Sequence, residues 1–334
     1  MINLHLANCN IGKEGARALA SSIGVMKNLS VLDLNGNKIL TDGCISIMKE
    51  LKANVALTEL YLNSNFIDVE GMLHVAECLD NKKYIAELWL SYNNIQAKGA
   101  IALGEALKNK KYLEALMLKK NSITYDGIRA LNQCLSNSLN LKEINVAGNL
   151  LGDSGIEVVA NCLVGKEFLV NVNVSDNKMT NEGCIKLMSV LRDCDTLEDL
   201  NLSGNEIETA GAKAIADALS DKKELRNLEV DNNKFSSEGA EALAGVFSKI
   251  PVSKINLVKN NISTDGAKAL ARAIKTNVNL TQIYLSNNNI SDEGIQAIAE
   301  GLRESTSLTE LFLSYNDLSE DSGLALAKSL ENKN

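Results

Sequence analysis

Leu29-Ser30-Val31-Leu32-Asp33-Leu34-Asn35-Gly36-Asn37-Lys38-Ile39 decides the fold, because the same frame returns at Leu57-Thr58-Glu59-Leu60-Tyr61-Leu62-Asn63-Ser64-Asn65-Phe66-Ile67. Asparagine marks each return. Asn37, Asn65, Asn93, Asn121, Asn149, Asn177, Asn205 and Asn233 stand 28 residues apart; Asn260 follows after 27, and Asn288 and Asn316 after 28 each. Cys9 holds the same place one step earlier. The frame is Leu-x-x-Leu-x-Leu-x-x-Asn-x-Ile, met twelve times in phase along 334 residues. A period of this length means one supersecondary unit stacked on copies of itself.

Within a unit, Leu32 and Leu34 alternate with period two, which predicts a short strand ended by the asparagine. A buried amide is tolerated where its hydrogen-bond partners are in place. Glycine follows most ladder positions by six residues, as at Gly43, Gly211 and Gly294. Thr41-Asp42 and Ser291-Asp292-Glu293 precede two of these glycines and predict helix caps. The stretch Ala210 to Leu219 is rich in Ala and Leu at helical spacing. A polar loop, often Asn-Lys-Lys or Asp-Lys-Lys, closes the unit.

This pattern resembles the leucine-rich repeat family, and a strand plus a full helix in 28 residues resembles its ribonuclease-inhibitor subclass. The resemblance implies an α/β horseshoe solenoid of about twelve repeats, with an inner parallel sheet and an outer ring of helices. Strands sit about 4.8 Å apart and packed helices about 8–10 Å apart, so the outer arc is the longer one. One solenoid over residues 1–334 is expected. Neither end reads as a polar cap of the kind solenoids carry. Leu324, Leu326, Ala327 and Leu330 lack a covering coil, which suggests a segment of a longer chain or self-association through the ends.

Composition narrows the function. A net charge of -8 argues against a phosphate-driven nucleic-acid surface. No apolar leader precedes the first strand, and no apolar run is long enough to span a bilayer, so no membrane partner is expected. Five of the seven cysteines recur at helix positions held elsewhere by Ala, Ile or Met: Cys78, Cys134 and Cys162 at one, Cys44 and Cys184 at another. They read as buried free thiols, which suits a cytoplasmic setting. Cys194 falls in a loop position shared with Lys, Asn and Ser, and is expected to be exposed and modifiable. His5 and His74, the only histidines, are two repeats apart and form no metal or triad frame. No phosphate-binding glycine motif occurs. No cofactor is expected.

Function on such a scaffold falls to the strand residues that the repeat leaves free. Alternation places two apolar clusters on the concave face. The first joins Tyr61, Trp89 and Met117, with Tyr92 and Lys119 beside it; Trp89 is the sole tryptophan. The second joins Tyr284, Phe312 and Tyr315. Exposed aromatic groups of this kind form binding hot spots. The face is otherwise acidic, with Asp33, Glu59, Glu87, Glu143 and Glu229 among its residues, so a protein partner with a basic patch is expected.

The leading expectation is a non-catalytic protein-interaction scaffold. The family resemblance extends to ribonuclease inhibitor, NOD-like receptor repeats, bacterial effectors and Ran GTPase-activating proteins. The last implies an alternative, a regulator of a small GTPase. The strand-to-helix loops Ile39 to Asp42, Ile67 to Glu70 and Ile95 to Lys98 hold no arginine, nor do their counterparts, so no arginine finger is available there.

Overall fold

The computed structural model describes residues 2–331. They fall into two compact units that divide after Asn177, referred to below as residues 1–177 and 178–334 for their described parts. The first carries strands β1 (Asn3–His5), β2 (Val31–Asp33), β3 (Glu59–Tyr61), β4 (Glu87–Trp89), β5 (Ala115–Met117), β6 (Glu143–Asn145) and β7 (Asn171–Asn173). Between them run helices α1 (Gly12–Gly24), α2 (Leu40–Leu51), α3 (Val69–Leu79), α4 (Gln96–Leu107), α5 (Tyr125–Asn137) and α6 (Gly152–Leu163). The second begins with α7 (Asn181–Leu191) and continues through β8 (Asp199–Asn201), α8 (Thr209–Leu219), β9 (Asn227–Glu229), α9 (Ser236–Phe247) and β10 (Lys254–Asn256). It ends with α10 (Thr264–Thr276), β11 (Gln282–Tyr284), α11 (Asp292–Glu304), β12 (Glu310–Phe312) and α12 (Glu320–Leu330).

Each unit is an α/β solenoid in which parallel strands pair in chain order. The register steps by one repeat: Tyr61 faces Trp89 and Trp89 faces Met117. In β3, β4 and β6 to β11 the middle residue is buried and its neighbours are partly exposed, as at Glu59-Leu60-Tyr61. The core is therefore a stack of Leu, Ile and Val from the strands against Leu, Ile, Ala and Cys from the helices.

The asparagines act as read from the sequence. The Asn149 Oδ1 accepts from the backbone N–H of Asn121 (3.0 Å) and Ile123 (3.1 Å) in the preceding coil. Its Nδ2 donates to the carbonyls of Leu118 (2.9 Å), Val146 (2.9 Å) and Ala147 (3.2 Å). The coil that is one residue short breaks this pattern. The Asn260 Oδ1 is buried and has no hydrogen-bond partner, while its Nδ2 still donates to Val230 (3.0 Å) and Val258 (3.2 Å).

The helix starts depart from the sequence reading. Thr41 and Asp42 lie inside α2, whose N-terminus has no side-chain cap, and Ser291 makes no cap bond to α11. Asp68, Thr180 and Ser319 cap α3, α7 and α12 with their own side chains, and the preceding coil adds further bonds at several helix starts. Thr41 accepts from the Asp68 N–H (3.2 Å) ahead of α3. Asn181 accepts from Glu208 and Gly211 N–H (2.9 Å each) at the start of α8. Asp292 accepts from the Ser319 N–H (2.9 Å) ahead of α12. Asn181 thus satisfies a first-turn donor of the next helix, while Thr41 and Asp292 hold the N–H of the residue just ahead of the helix that follows theirs.

Candidate functional site

Tyr61 and Trp89 end adjacent strands β3 and β4 in the same register, so their side chains rise side by side from the strand face. Their ring centroids are 5.2 Å apart with planes at 70°, an edge-to-face pair. Met117 continues the row on β5. The three are partly buried, where period-two alternation alone suggests full exposure. Mutual stacking removes much of their surface from water, and the Trp89 Nε1 is buried without a hydrogen-bond partner.

The Tyr61 hydroxyl lies 2.7 Å from the Glu59 carboxylate and 2.8 Å from that of Glu87. Burial first, and then these two acceptors, raise the Tyr61 pKa well above the usual phenol range, so the hydroxyl remains a donor. Glu59 and Glu87 are themselves register partners on β3 and β4. Like charges opposite one another in a sheet are unfavourable.

Tyr92 does not join the Trp89 stack. It stands at the position just before the ladder asparagine Asn93, where every coil turns through positive φ; Gly36, Gly148 and Gly204 hold it elsewhere. At Tyr92 φ is 58°, and at Tyr315 it is 57°. A side chain there costs roughly 1–2 kcal/mol. The Tyr92 ring is covered by two ammonium groups, Lys119 at 5.7 Å and Lys120 at 5.5 Å. The strand face of residues 1–177 therefore carries an acidic aromatic patch and, beside it, a basic one.

In residues 178–334, Tyr284 and Phe312 stack face to face at 4.4 Å. The Lys254 ammonium lies 5.5 Å from the Tyr284 ring centroid and 2.6 Å from the Glu229 carboxylate. Tyr315 is 81% exposed and borders an open cleft of about 680 Å³ with Leu311, Leu313, Leu318, Leu326 and Leu330. Leu324 and Leu330 of α12 are exposed. The two clusters lie in separate units.

A family model described as Leucine Rich repeat matches residues 3–20, 25–48, 83–104, 137–160, 166–188, 193–216, 224–244, 251–271, 276–299 and 304–327, well over half of the chain. The chain belongs to the leucine-rich repeat family. This leucine-rich repeat chain is similar in fold to an internalin (inlF) from Listeria monocytogenes str. 4b F2365, at 21% identity and a TM-score of 0.60, over 95% of this chain and 87% of that one. Leiomodin-1 actin-binding site 2 is 21% identical over 45% of this chain and 86% of its own, with a TM-score of 0.38. No curated protein matches the chain.

The cysteines of this leucine-rich repeat chain are all free, and six of the seven are buried. Cys194 is one of the six, at 4% exposure, which corrects the expectation of an exposed, modifiable thiol. Its loop position is turned inward in other coils too: Lys82, Lys110, Lys166 and Lys222 hold it and are buried. Burial raises the Cys194 pKa and keeps the thiol protonated. The buried lysines donate to carbonyls at the end of the preceding helix. Lys82 Nζ reaches the Leu51 carbonyl at 3.1 Å, Lys110 that of Asp80 at 2.9 Å and Lys166 that of Ser136 at 2.9 Å. His5 is exposed and His74 bonds the Glu70 carbonyl of its own helix. Among the described residues no group could hold a metal ion, and no helix is long and apolar enough to cross a membrane.

The sequence reading also missed a ridge. Val55, Tyr84, Tyr112, Leu139 and Phe168 are exposed in the turns just ahead of successive strands. Tyr84 and Tyr112 approach to 5.3 Å. Apolar residues recurring in two adjacent loop columns, Tyr84, Tyr112 and Phe168 in one and Val55 and Leu139 in the other, are the signal that marks it.

Proposed function

We propose that this chain is a non-catalytic protein-interaction scaffold whose partner seats on the strand face of residues 1–177, on Tyr61, Trp89 and Met117, with Tyr92 and Lys119 at the rim. Leucine-rich repeat proteins generally act as protein-interaction scaffolds. The observation that carries the reading is the edge-to-face Tyr61–Trp89 pair. The fold needs only the buried middle residue of each strand, yet large aromatic groups stand at the positions it leaves free. Tyrosine and tryptophan give much contact area with little rotamer freedom to lose. Tyr92 adds a second argument, since a bulky ring stands at a left-handed position held in most other coils by Gly, Asn, Asp, Ser or Lys.

Tyr284, Phe312 and Tyr315 form a second contact surface in residues 178–334. A full helix in each coil favours the ribonuclease-inhibitor-like subclass, and the free buried thiols favour a reducing, cytoplasmic setting. Affinity capture from a cell extract, comparing wild type with Tyr61→Ala/Trp89→Ala, tests the reading. One protein retained by wild type and lost by the variant is the expected result, with thermal melting confirming that the variant is folded. Capture of the same proteins by both would overturn it.

A further inference from the structure

Within the strand face of residues 1–177, one proton serves two acids. The Tyr61 hydroxyl touches Glu59 at 2.7 Å and Glu87 at 2.8 Å, but a hydroxyl donates only one hydrogen. One carboxylate oxygen therefore faces the hydroxyl lone pairs. The two carboxylates also oppose each other across paired strands. No lysine, arginine or histidine among the described residues forms an ion pair with either. Lys142, whose charge is felt at Glu87, is engaged by Glu114 at 2.6 Å.

The same chain shows how such a set is completed. On the strand face of residues 178–334, Lys254 opens β10 and places its ammonium 2.6 Å from Glu229 and 5.5 Å from the Tyr284 ring centroid. There the cation, the carboxylate and the ring all come from the chain. In residues 1–177, the corresponding first residues of β2 to β7 are Val31, Glu59, Glu87, Ala115, Glu143 and Asn171. That column holds no cation, although the rings and carboxylates are present.

We propose that Glu59, Glu87 and the Tyr61–Trp89 pair seat an arginine side chain supplied by a protein partner. Charge complementarity selects a cation. Arginine is favoured over lysine because a planar guanidinium can engage two carboxylates on strands about 4.8 Å apart. It also stacks on an indole face. The inference rests on the strand-face reading above and adds the chemistry of the anchor.

Trp89 is the only tryptophan, so intrinsic fluorescence reports on the seat directly. The probes are acetyl-Gly-Arg-Gly-amide and the peptides with lysine or citrulline in place of the arginine, each titrated into the full chain. A saturable change with the arginine peptide, weaker with lysine and absent with neutral citrulline, is expected. Glu59→Gln/Glu87→Gln should weaken the arginine response about tenfold or more. No saturable response to arginine, an equal response to citrulline, a stronger one to lysine, or an unchanged one in the double variant overturns the proposal. Partner capture separates this failure from that of the broader reading. Loss with Tyr61→Ala/Trp89→Ala but retention with Glu59→Gln/Glu87→Gln sinks the arginine seat alone. Retention by both variants sinks the strand-face reading as well.

Discussion

The Asn149 side chain makes five hydrogen bonds to the backbone of its own coil and the preceding one. Replacing it with alanine orphans two buried N–H groups and removes a donor from three carbonyls. Each buried orphan costs about 1–3 kcal/mol, so Asn149→Ala should destabilise by about 3–5 kcal/mol. Asn260 stands in the same frame but its Oδ1 has no partner. Asn260→Ala loses two donor bonds and also removes an unsatisfied oxygen, so about 1–2 kcal/mol is expected. Urea unfolding of the two variants measures the gap; equal losses would refute the ladder account. The ladder itself was legible from the spacing of the asparagines. The orphan at Asn260 was not, because the count shows a residue missing without showing which donor moves out of reach. Cys194 was misread for a related reason: its position looks polar in sequence, but the lysines that share it are buried.

At the scale of the element, helix ends depend on neighbouring coils. The N-terminus of α8 receives a cap from Asn181 of the coil before it, and Asp292 holds the N–H of Ser319, the residue that caps α12. The C-terminal carbonyls of α2 and α5 receive Lys82 and Lys166 of the coils after them, and Asn54 serves the loop after α1 in the same way. Strands and helices were legible from periodicity and glycine spacing. These links were not, because Asn81-Lys82-Lys83 has the look of a solvated loop and nothing local shows that Lys82 meets the end of another helix. A cation suits that end, where carbonyls concentrate negative potential. Burial still lowers the Lys82 pKa below the usual lysine value of 10.5. Lys82→Met removes one of two donors to the Leu51 carbonyl, which keeps the Asn54 N–H at 2.9 Å, and should destabilise by about 0.5–1.5 kcal/mol at neutral pH. The sign of the pH dependence follows from linkage. Folded Lys82 holds its proton less tightly than the unfolded chain does, so its contribution to stability rises with pH from its lowered folded value up to 10.5. The loss caused by Lys82→Met should therefore grow as pH rises towards 10.5, as compared by denaturant unfolding of both proteins. A loss that shrinks over that range would show that the attraction between ammonium and carbonyls outweighs the burial of the charge.

At the scale of the whole molecule, contacts between neighbouring coils dominate. In residues 1–177 the asparagine bonds reach from each coil to the one beside it, as Asn121 reaches Leu90 and Asn149 reaches Leu118. Stability in such a chain is close to a sum over coils and their shared faces, and local openings need not spread. The strand-face residues Glu59, Glu87, Tyr61 and Trp89 lie outside that ladder, so binding and folding can be altered separately. Hydrogen exchange on two variants tests the separation. Asn149→Ala should lose protection most strongly across β5, α5, β6 and α6, while β2 and α2 remain near wild type. Glu59→Gln/Glu87→Gln should leave protection unchanged throughout residues 1–177 beyond β3 and β4, since it removes charge without removing a ladder bond. Uniform loss across the unit in the first variant would mean that its coils open together. In that case a change at the binding face would register as a change in stability, and the partner experiments would need to be read at matched folded fractions.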